Sequence, residues 1–124
     1  VDLEGTLLKP NMVIPGKGNA DQADPERIAR ATLECFRRHV PAAVPGIVFL
    51  SGGQSEVEAT VNLDAINRLE GRPWPLSFSY GRAMQSAALK IWSQDLVGNV
   101  AKAQETVFAR ARENGLAALG QLKG

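Results

Sequence analysis

Hydrophobic positions along the chain fall into short runs separated by longer stretches with helical spacing. The short runs, "LEGTLL" (residues 3–8), "PGIVFLSGG" (45–53) and "PLSFSYGR" (75–82), are bounded by proline or glycine and predict three strands. Helical spacing predicts helices over about 25–39, 54–68, 83–92 and 95–119. The resulting order, β-α-β-α-β-α-α, is typical of an α/β fold whose parallel strands are joined by right-handed helical crossovers.

The apolar positions within each helix predict the side that packs on the core. The first helix also has a start signal, because Asp24 is a favoured N-cap, Pro25 suits the first turn and Glu26 is an early acid. The predicted apolar positions are Ile28, Ala31, Thr32, Cys35 and Phe36 in the first helix, Val57, Val61, Ala65 and Ile66 in the second, Met84, Ala87, Ala88, Ile91 and Trp92 in the third, and Val100, Ala103, Val107 and Ala111 in the fourth.

The length of the chain limits the architecture. With 124 residues it can form one core and not two, so we expect at most one domain. Three strands are few for a doubly wound sheet, and a closed barrel needs about eight. The chain also begins at Val1, without methionine and inside a predicted strand. We therefore expect residues 1–124 to be a partial domain whose upstream strands are missing.

Composition narrows the possible partners. The 14 basic and 13 acidic residues give a net charge of +1, and they form no basic face, so we expect neither nucleic-acid nor membrane binding. The single cysteine excludes an internal disulfide and fits a reducing compartment, which favours the cytoplasm. No cluster has metal-ligand spacing, and we expect no metal and no cofactor.

The first predicted strand ends in a lysine, Lys9, directly before Pro10. In a strand, Lys9 lies on the same side as Leu3, Gly5 and Leu7, so an apolar interior would carry the amine with it. Burial favours the neutral amine, which is a nucleophile toward carbonyl carbon. The alternative, from spacing alone, is that Lys9 extends from the strand end to water.

The other two strand ends carry anion-binding residue types. Ser51-Gly52-Gly53 precedes a helix, so backbone N–H groups and a hydroxyl can approach a phosphate. Many such turns contain Ser-Gly for steric reasons only. Ser79-Tyr80-Gly81-Arg82 repeats the pattern with a guanidinium that can bind a phosphate through two donors. The alternative is a surface arginine at a helix start, although the helix dipole makes its charge unfavourable there. In barrels, the loops after the last two strands often bind phosphate together.

Other candidate residues have simpler interpretations. His39 lies near a helix C-terminus, where a cationic cap is favoured over a metal ligand. Cys35 is expected to be inert packing, and Glu56 and Glu58 to stabilise a helix start. The segment "GKGN" (16–19) lacks the rest of a nucleotide-binding loop.

Three longer motifs, "LEGTLLKPNMV", "PAAVPGIVFLSGGQSEVEATVNLDAIN" and "PWPLSFSYGRAMQSAALKIW", closely resemble the C-terminal half of class I fructose-bisphosphate aldolase, in order and over almost the whole chain. The resemblance implies a (β/α)8 barrel, of which this chain would supply the last three βα units. It implies that Lys9 forms a Schiff base with the substrate ketone, and that a substrate phosphate is bound by Ser51, Gly52, Gly53, Ser79, Gly81 and Arg82.

The same resemblance implies cleavage of fructose 1,6-bisphosphate to dihydroxyacetone phosphate and glyceraldehyde 3-phosphate, in glycolysis and gluconeogenesis, by a homotetramer of the full-length chain. The acids and bases that the family places on earlier strands have no counterpart here. The chain also ends "GQLKG" instead of in the tyrosine-terminated tail of animal members, which favours a bacterial type. Two alternatives stay open: a catalytically inactive phosphate-binding half-barrel, and an aldolase for another phosphorylated ketose.

Overall fold

The computed structural model describes residues 1–123. Its helices are α1 (Pro25–His39), α2 (Glu56–Arg68), α3 (Arg82–Gln94) and α4 (Val100–Ala118), and its strands are β1 (Ile47–Phe49) and β2 (Leu76–Phe78). The two strands pair in parallel, with Ile47 opposite Leu76 and Phe49 opposite Phe78. The predicted α/β alternation is therefore present, and the helix α2 forms the crossover between the two strands.

The first predicted strand is largely wrong. Residues Leu3–Gly5 form a short 3₁₀ turn, in which both the backbone N–H and the hydroxyl of Thr6 donate to the Leu3 carbonyl. Parallel pairing with β1 begins only at Leu8, which bridges to Ile47, and continues where the Leu50 N–H donates to the Pro10 carbonyl at 3.1 Å. The alternation of Leu3 and Gly5 with Lys9 therefore does not hold, although Leu7 and Lys9 still lie two residues apart along the paired segment.

Helix α1 starts and ends where the sequence predicts. The Asp24 carboxylate accepts the Arg27 N–H at 2.7 Å, and three basic residues occupy the last turn, where they complement the helix dipole. The buried stripe consists of Ile28, Ala29, Thr32, Leu33 and Phe36. Cys35 is exposed, so its assignment to the packed face is wrong. Its position is about 100° around the helix from Phe36, beyond the edge of this stripe.

Aromatic rings fill the core between α1, α2 and the sheet. The ring of Phe36 stacks on Phe49 at a centroid distance of 5.7 Å and meets Trp74 edge-on at 6.5 Å. The indole N–H of Trp74 donates to the Pro41 carbonyl at 3.0 Å, which satisfies its polar group inside the core. Each fully buried side chain of this size contributes about 1.5–3 kcal/mol, so this cluster fixes α1 against the strands that carry the loops described below.

Polar contacts join α2 to α4. The hydroxyl of Thr60 donates to the Asn114 side chain at 2.9 Å, and the buried Arg110 guanidinium donates to Thr60 and to the Glu56 carbonyl. Apolar burial in α2 falls on Ala59, Leu63 and Ile66. The predicted positions Val57 and Val61 are exposed instead. The side of α2 next to α4 buries the polar residues Thr60 and Asn67, which hydropathy does not detect.

Helix α4 begins five residues later than predicted. The Asp95 carboxylate accepts the N–H groups of Gly98 and Val97 at 2.8 and 3.1 Å. These bonds lower the pKa of Asp95 and hold residues 95–98 in a turn. The helix therefore starts only after this turn, at Val100. Within residues 1–123, no helix combines the length and apolar character needed to cross a membrane.

Candidate active site

Ladder hydrogen bonds bring the ends of the three predicted strand segments to one edge of the sheet. The Leu50 N–H donates to the Pro10 carbonyl at 3.1 Å, and the Ser79 N–H donates to the Phe49 carbonyl at 2.8 Å. Because all three segments run in the same direction, the residues that follow Pro10, Leu50 and Phe78 lie side by side. The three loops singled out in the sequence therefore meet at one edge.

Lys9 lies at this edge and is exposed. Leu7, which has the same strand parity, is 65% exposed. An apolar side chain beside an amine on an open sheet face is the arrangement expected if further strands cover that face. In the described residues Lys9 forms no ion pair with a carboxylate.

The loop of Ser51, Gly52 and Gly53 adopts, at Gly52, a backbone conformation that favours glycine. Gly52 has φ +57°, and a methyl group at its Cα would lie 2.8 Å from the Asn11 side-chain oxygen. The Asn11 oxygen also accepts the Met12 N–H at 3.0 Å, which fixes the side chain against the loop. Ser51 is buried at 8% exposure. Asn11 thus shapes the loop, and the sequence reasoning assigned it no role.

The loop of Ser79, Tyr80, Gly81 and Arg82 is anchored by its tyrosine. The Tyr80 hydroxyl donates to the Ala59 carbonyl at 2.9 Å, and burial raises the pKa of the Tyr80 phenol. Ser79 and Gly81 are exposed, and Gly81 gives α3 no side-chain cap. Arg82 is the first residue of α3, is exposed, and forms no ion pair within residues 1–123.

A cleft of about 350 Å³ joins the two loops. Its lining residues are Lys17, Ser51, Gly52, Gly53, Gln54 and Arg82. The predicted residues of the first loop and the arginine of the second are therefore brought together. Lys9, Ser79 and Gly81 belong to the same sheet edge but do not line this cleft. Lys17 and Gln54 do line it, although neither was predicted as a site residue.

The remaining candidates take structural roles. The His39 ring nitrogen Nδ1 lies 2.8 Å from the Cys35 carbonyl in the last turn of α1, in agreement with the predicted cap. Glu58 accepts the Ser55 N–H at 2.7 Å while the Glu58 N–H donates to the Ser55 hydroxyl, which forms a capping box. Within the described part of the chain, no group of three or more metal-ligating side chains is placed to hold an ion.

Comparison with known families decides the relationship of this chain. The model of the family described as fructose-bisphosphate aldolase class-I matches residues 1–124. The chain belongs to this family. The resemblance inferred from the three sequence motifs is thereby confirmed.

Relatives of this aldolase family come from bacteria, animals and plants. The chain is 60% identical over 124 residues to a probable fructose-bisphosphate aldolase class 1 of Xylella fastidiosa, covering 100% of this chain and 37% of the relative. It is 57% identical to fructose-bisphosphate aldolase 2 of Caenorhabditis elegans, covering 100% of this chain and 34% of the relative. The chain thus spans about a third of the length of these aldolases.

A solved aldolase structure has the same fold. Over 100% of this chain and 35% of the other, the TM-score is 0.94 with 51% identity to fructose-bisphosphate aldolase from Plasmodium falciparum, crystallised in complex with TRAP and a small-molecule inhibitor. The α/β architecture described above is therefore that of the corresponding part of an aldolase.

Proposed function

We propose that residues 1–124 are the C-terminal part of a class I fructose-bisphosphate aldolase and form the last three βα units of a (β/α)8 barrel. The parallel order of residues 8–10, β1 and β2 supports this proposal, and so does the share of the relatives that the chain spans. The exposed Leu7 side of the sheet fits a surface that earlier strands would cover.

One observation supports the activity most directly. The Ser51–Gly53 loop and Arg82 line a single cleft, and the segment that carries Lys9 is paired with the strand leading into that loop. A phosphate held by backbone N–H groups and a guanidinium would place the ketone of a phosphorylated sugar near the amine. Ser79 and Gly81 lie on the same edge and are proposed to contribute to the phosphate site.

The proposed reaction uses Lys9 as a nucleophile. Its neutral Nζ adds to the C2 carbonyl of fructose 1,6-bisphosphate to give a carbinolamine, and protonation of its hydroxyl group followed by loss of water gives an iminium. Removal of the C4 hydroxyl proton breaks the C3–C4 bond, glyceraldehyde 3-phosphate leaves, and the bonding electron pair moves toward the iminium to give an enamine. Protonation at C3 and hydrolysis then release dihydroxyacetone phosphate and restore Lys9.

The general base for the C4 hydroxyl is proposed to lie outside these 124 residues. None of the groups assigned here has that role, and general acid–base catalysis contributes about 10²–10⁴-fold to such reactions. We therefore expect the 124-residue chain alone to show no cleavage of fructose 1,6-bisphosphate. Turnover above that of an inert control protein would contradict this expectation.

Trapping the Schiff base in the full-length enzyme tests the assignment. Borohydride reduction in the presence of substrate is expected to give a covalent adduct on Lys9, located by peptide mass spectrometry. Lys9→Arg is expected to abolish the adduct and lower kcat/KM by more than about 1,000-fold, since arginine cannot form the iminium. Lys90→Arg, at an exposed position of α3, is the matched control. It should still form the Lys9 adduct and should keep the kcat/KM of the parent enzyme. An active enzyme with unmodified Lys9 would overturn the assignment.

Substrate choice, location and assembly are also proposals. Relative rates with one-phosphate and two-phosphate ketoses will show whether fructose 1,6-bisphosphate or another phosphorylated ketose is the preferred substrate.

A cytoplasmic location is supported by the single cysteine and by an Arabidopsis thaliana relative named as cytosolic. The proposed homotetramer of the full-length chain is checked by its native mass, and a monomeric mass would contradict it.

A further inference from the structure

A second basic residue faces the Ser51–Gly53 loop. Lys17 belongs to the turn segment between Pro10 and α1, in the "GKGN" stretch that fits no nucleotide-binding motif. It lines the cleft of about 350 Å³ together with Arg82 and the loop. It also lines a neighbouring cleft of about 620 Å³, together with Gly53 and Gln54.

The contact between Lys17 and Gly53 is close. A methyl group built on Gly53 would lie 2.9 Å from Cε of Lys17 and 3.6 Å from its Nζ. The end of the Lys17 side chain therefore packs on the backbone of the loop, with Cε nearer than Nζ, in space that a glycine leaves open. This contact places the exposed ammonium group of Lys17 next to the loop.

No carboxylate neutralises this charge in the described residues. Lys17 forms no ion pair within residues 1–123, and neither does Arg82. In the described part of the chain no acid lines the smaller cleft, and Glu58, which lines the larger cleft with Lys17, directs its carboxylate to the Ser55 N–H at 2.7 Å. Both cations line one small cleft beside a glycine loop, and an anion bound between them would be attracted by both charges.

We propose that Lys17 is a further phosphate-binding residue and completes a clamp with Arg82 around the Ser51–Gly53 loop. A phosphate monoester has a charge of about −1.5 to −2 near neutral pH, which two cations match. Arg82 offers a planar pair of donors, and Lys17 offers a flexible point charge on the side of Gly53. The inference rests on the proposed function, because it deepens the phosphate site assigned there.

The test compares Lys17→Gln with Lys17→Arg in the full-length enzyme. Lys17→Gln is expected to raise KM for fructose 1,6-bisphosphate about five- to tenfold with kcat within about twofold, because it removes ground-state and transition-state binding equally. The Kd of inorganic phosphate, measured by isothermal titration, is expected to rise by the same factor. Lys17→Arg should restore both values, and Lys102→Gln, at an exposed position of α4, is the matched control.

The outcomes separate this inference from the proposed function. Unchanged KM and phosphate Kd in Lys17→Gln, beside raised values in Arg82→Gln, would overturn the role of Lys17 and leave the aldolase proposal intact. A raised KM that arginine does not restore, with a lowered thermal midpoint, would show a structural role and also overturn it. Failure to trap Lys9 would overturn the aldolase proposal, whereas the phosphate titration would still report on Lys17.

Discussion

The two strand-to-helix loops of this molecule begin their helices in opposite ways. Before α2, Ser55 and Glu58 satisfy each other's backbone N–H groups in a capping box. Before α3, Gly81 provides no side-chain cap and an arginine occupies the first helical position, where the helix dipole opposes its charge. The first helix start is completed by its own residues, and the second is not.

This difference separates residues that have a structural role from residues that we propose to bind phosphate. The capping box begins at Ser55, four residues after Ser51, so Ser51, Gly52 and Gly53 do not cap the helix α2. The second loop is instead fixed from behind by Tyr80 and presents Arg82 to the shared cleft. A feature that is unfavourable for the isolated helix is therefore where an external anion is expected.

The largest effect on the stability of the fold is expected from Gly52 in the Ser51–Gly53 loop. Gly52→Ala forces an alanine to φ +57°, which costs about 1–2 kcal/mol, and places its methyl group 2.8 Å from the Asn11 oxygen. We expect a total loss of about 2–4 kcal/mol in the free energy of unfolding, measured by urea denaturation of the full-length enzyme, and a more than tenfold higher phosphate Kd.

Gly81→Ala is the matched control in the second loop. A methyl group there meets no atom within 4 Å, and φ is −92°, so the expected loss is below about 1 kcal/mol. Equal losses in the two variants would show that both loops are built to the same tolerance. That result would contradict the view that the Ser51–Gly53 loop is a preformed phosphate-binding loop.

Local sequence signals predicted the elements whose determinants are also local. The signal of Asp24, Pro25 and Glu26 located the start of α1, because the cap bond joins residues three apart. The run 3–8 failed as a strand because its pairing depends on residues 46–50, far along the chain, and only Leu8 and Pro10 reach them. Cys35 and Val57 failed because apolar spacing does not reveal which neighbouring helix covers a given side.

The sequence predicted the residues of the candidate site that lie at strand ends. It did not predict the residues that contact them from other parts of the chain. Ser51, Gly52 and Arg82 stand where general rules for parallel sheets place ligand-binding groups. Lys17 lies in a segment without periodicity, and its proposed role depends on contact with Gly53, 36 positions further along the chain. Only the three-dimensional fold brings such residues together.

An intermediate effect is expected from the anchor of the second loop. Tyr80→Phe removes the 2.9 Å hydrogen bond to the Ala59 carbonyl and is expected to cost about 1 kcal/mol in the free energy of unfolding. Because Arg82 follows this anchor by two residues, KM should rise about two- to fourfold. Phe78→Leu removes an aromatic contact with Tyr80 at 5.5 Å but keeps the hydrogen bond, and it should leave KM nearly unchanged.

The pH dependence of stability checks the same anchor. Burial raises the pKa of Tyr80 above its ordinary value of 10.0, so the folded state holds this proton more tightly than the unfolded chain. Its stabilising contribution is present below about pH 10 and is lost as pH rises beyond it. Tyr80→Phe should remove this alkaline loss, and an unchanged alkaline profile would show that Tyr80 is not buried in the full-length enzyme.

The smallest effect is expected at the capping box, where it sharpens the contrast between the two helix starts. Hydrogen bonds from Ser55 lower the pKa of Glu58 below its ordinary value of 4.5. The bond from the Ser55 N–H has the larger effect, and the bond with the Ser55 hydroxyl has the smaller one. The ionised carboxylate therefore stabilises the folded state above about pH 4.5, and this contribution is lost as pH falls through the lower folded-state pKa. Glu58→Gln is expected to cost about 0.5–1 kcal/mol near neutral pH and nothing measurable near pH 2.

Glu56→Gln is the control for this last variant, since Glu56 lies in the same first turn but outside the capping box. It should lose no more than about 0.3–0.5 kcal/mol, which is the contribution of the helix dipole alone. Both variants should keep the phosphate Kd of the parent enzyme, because the cap satisfies groups that the ligand does not use. If Glu58→Gln weakened phosphate binding as strongly as Arg82→Gln, the capping box would also support the phosphate site. The distinction between the two loops would then be wrong.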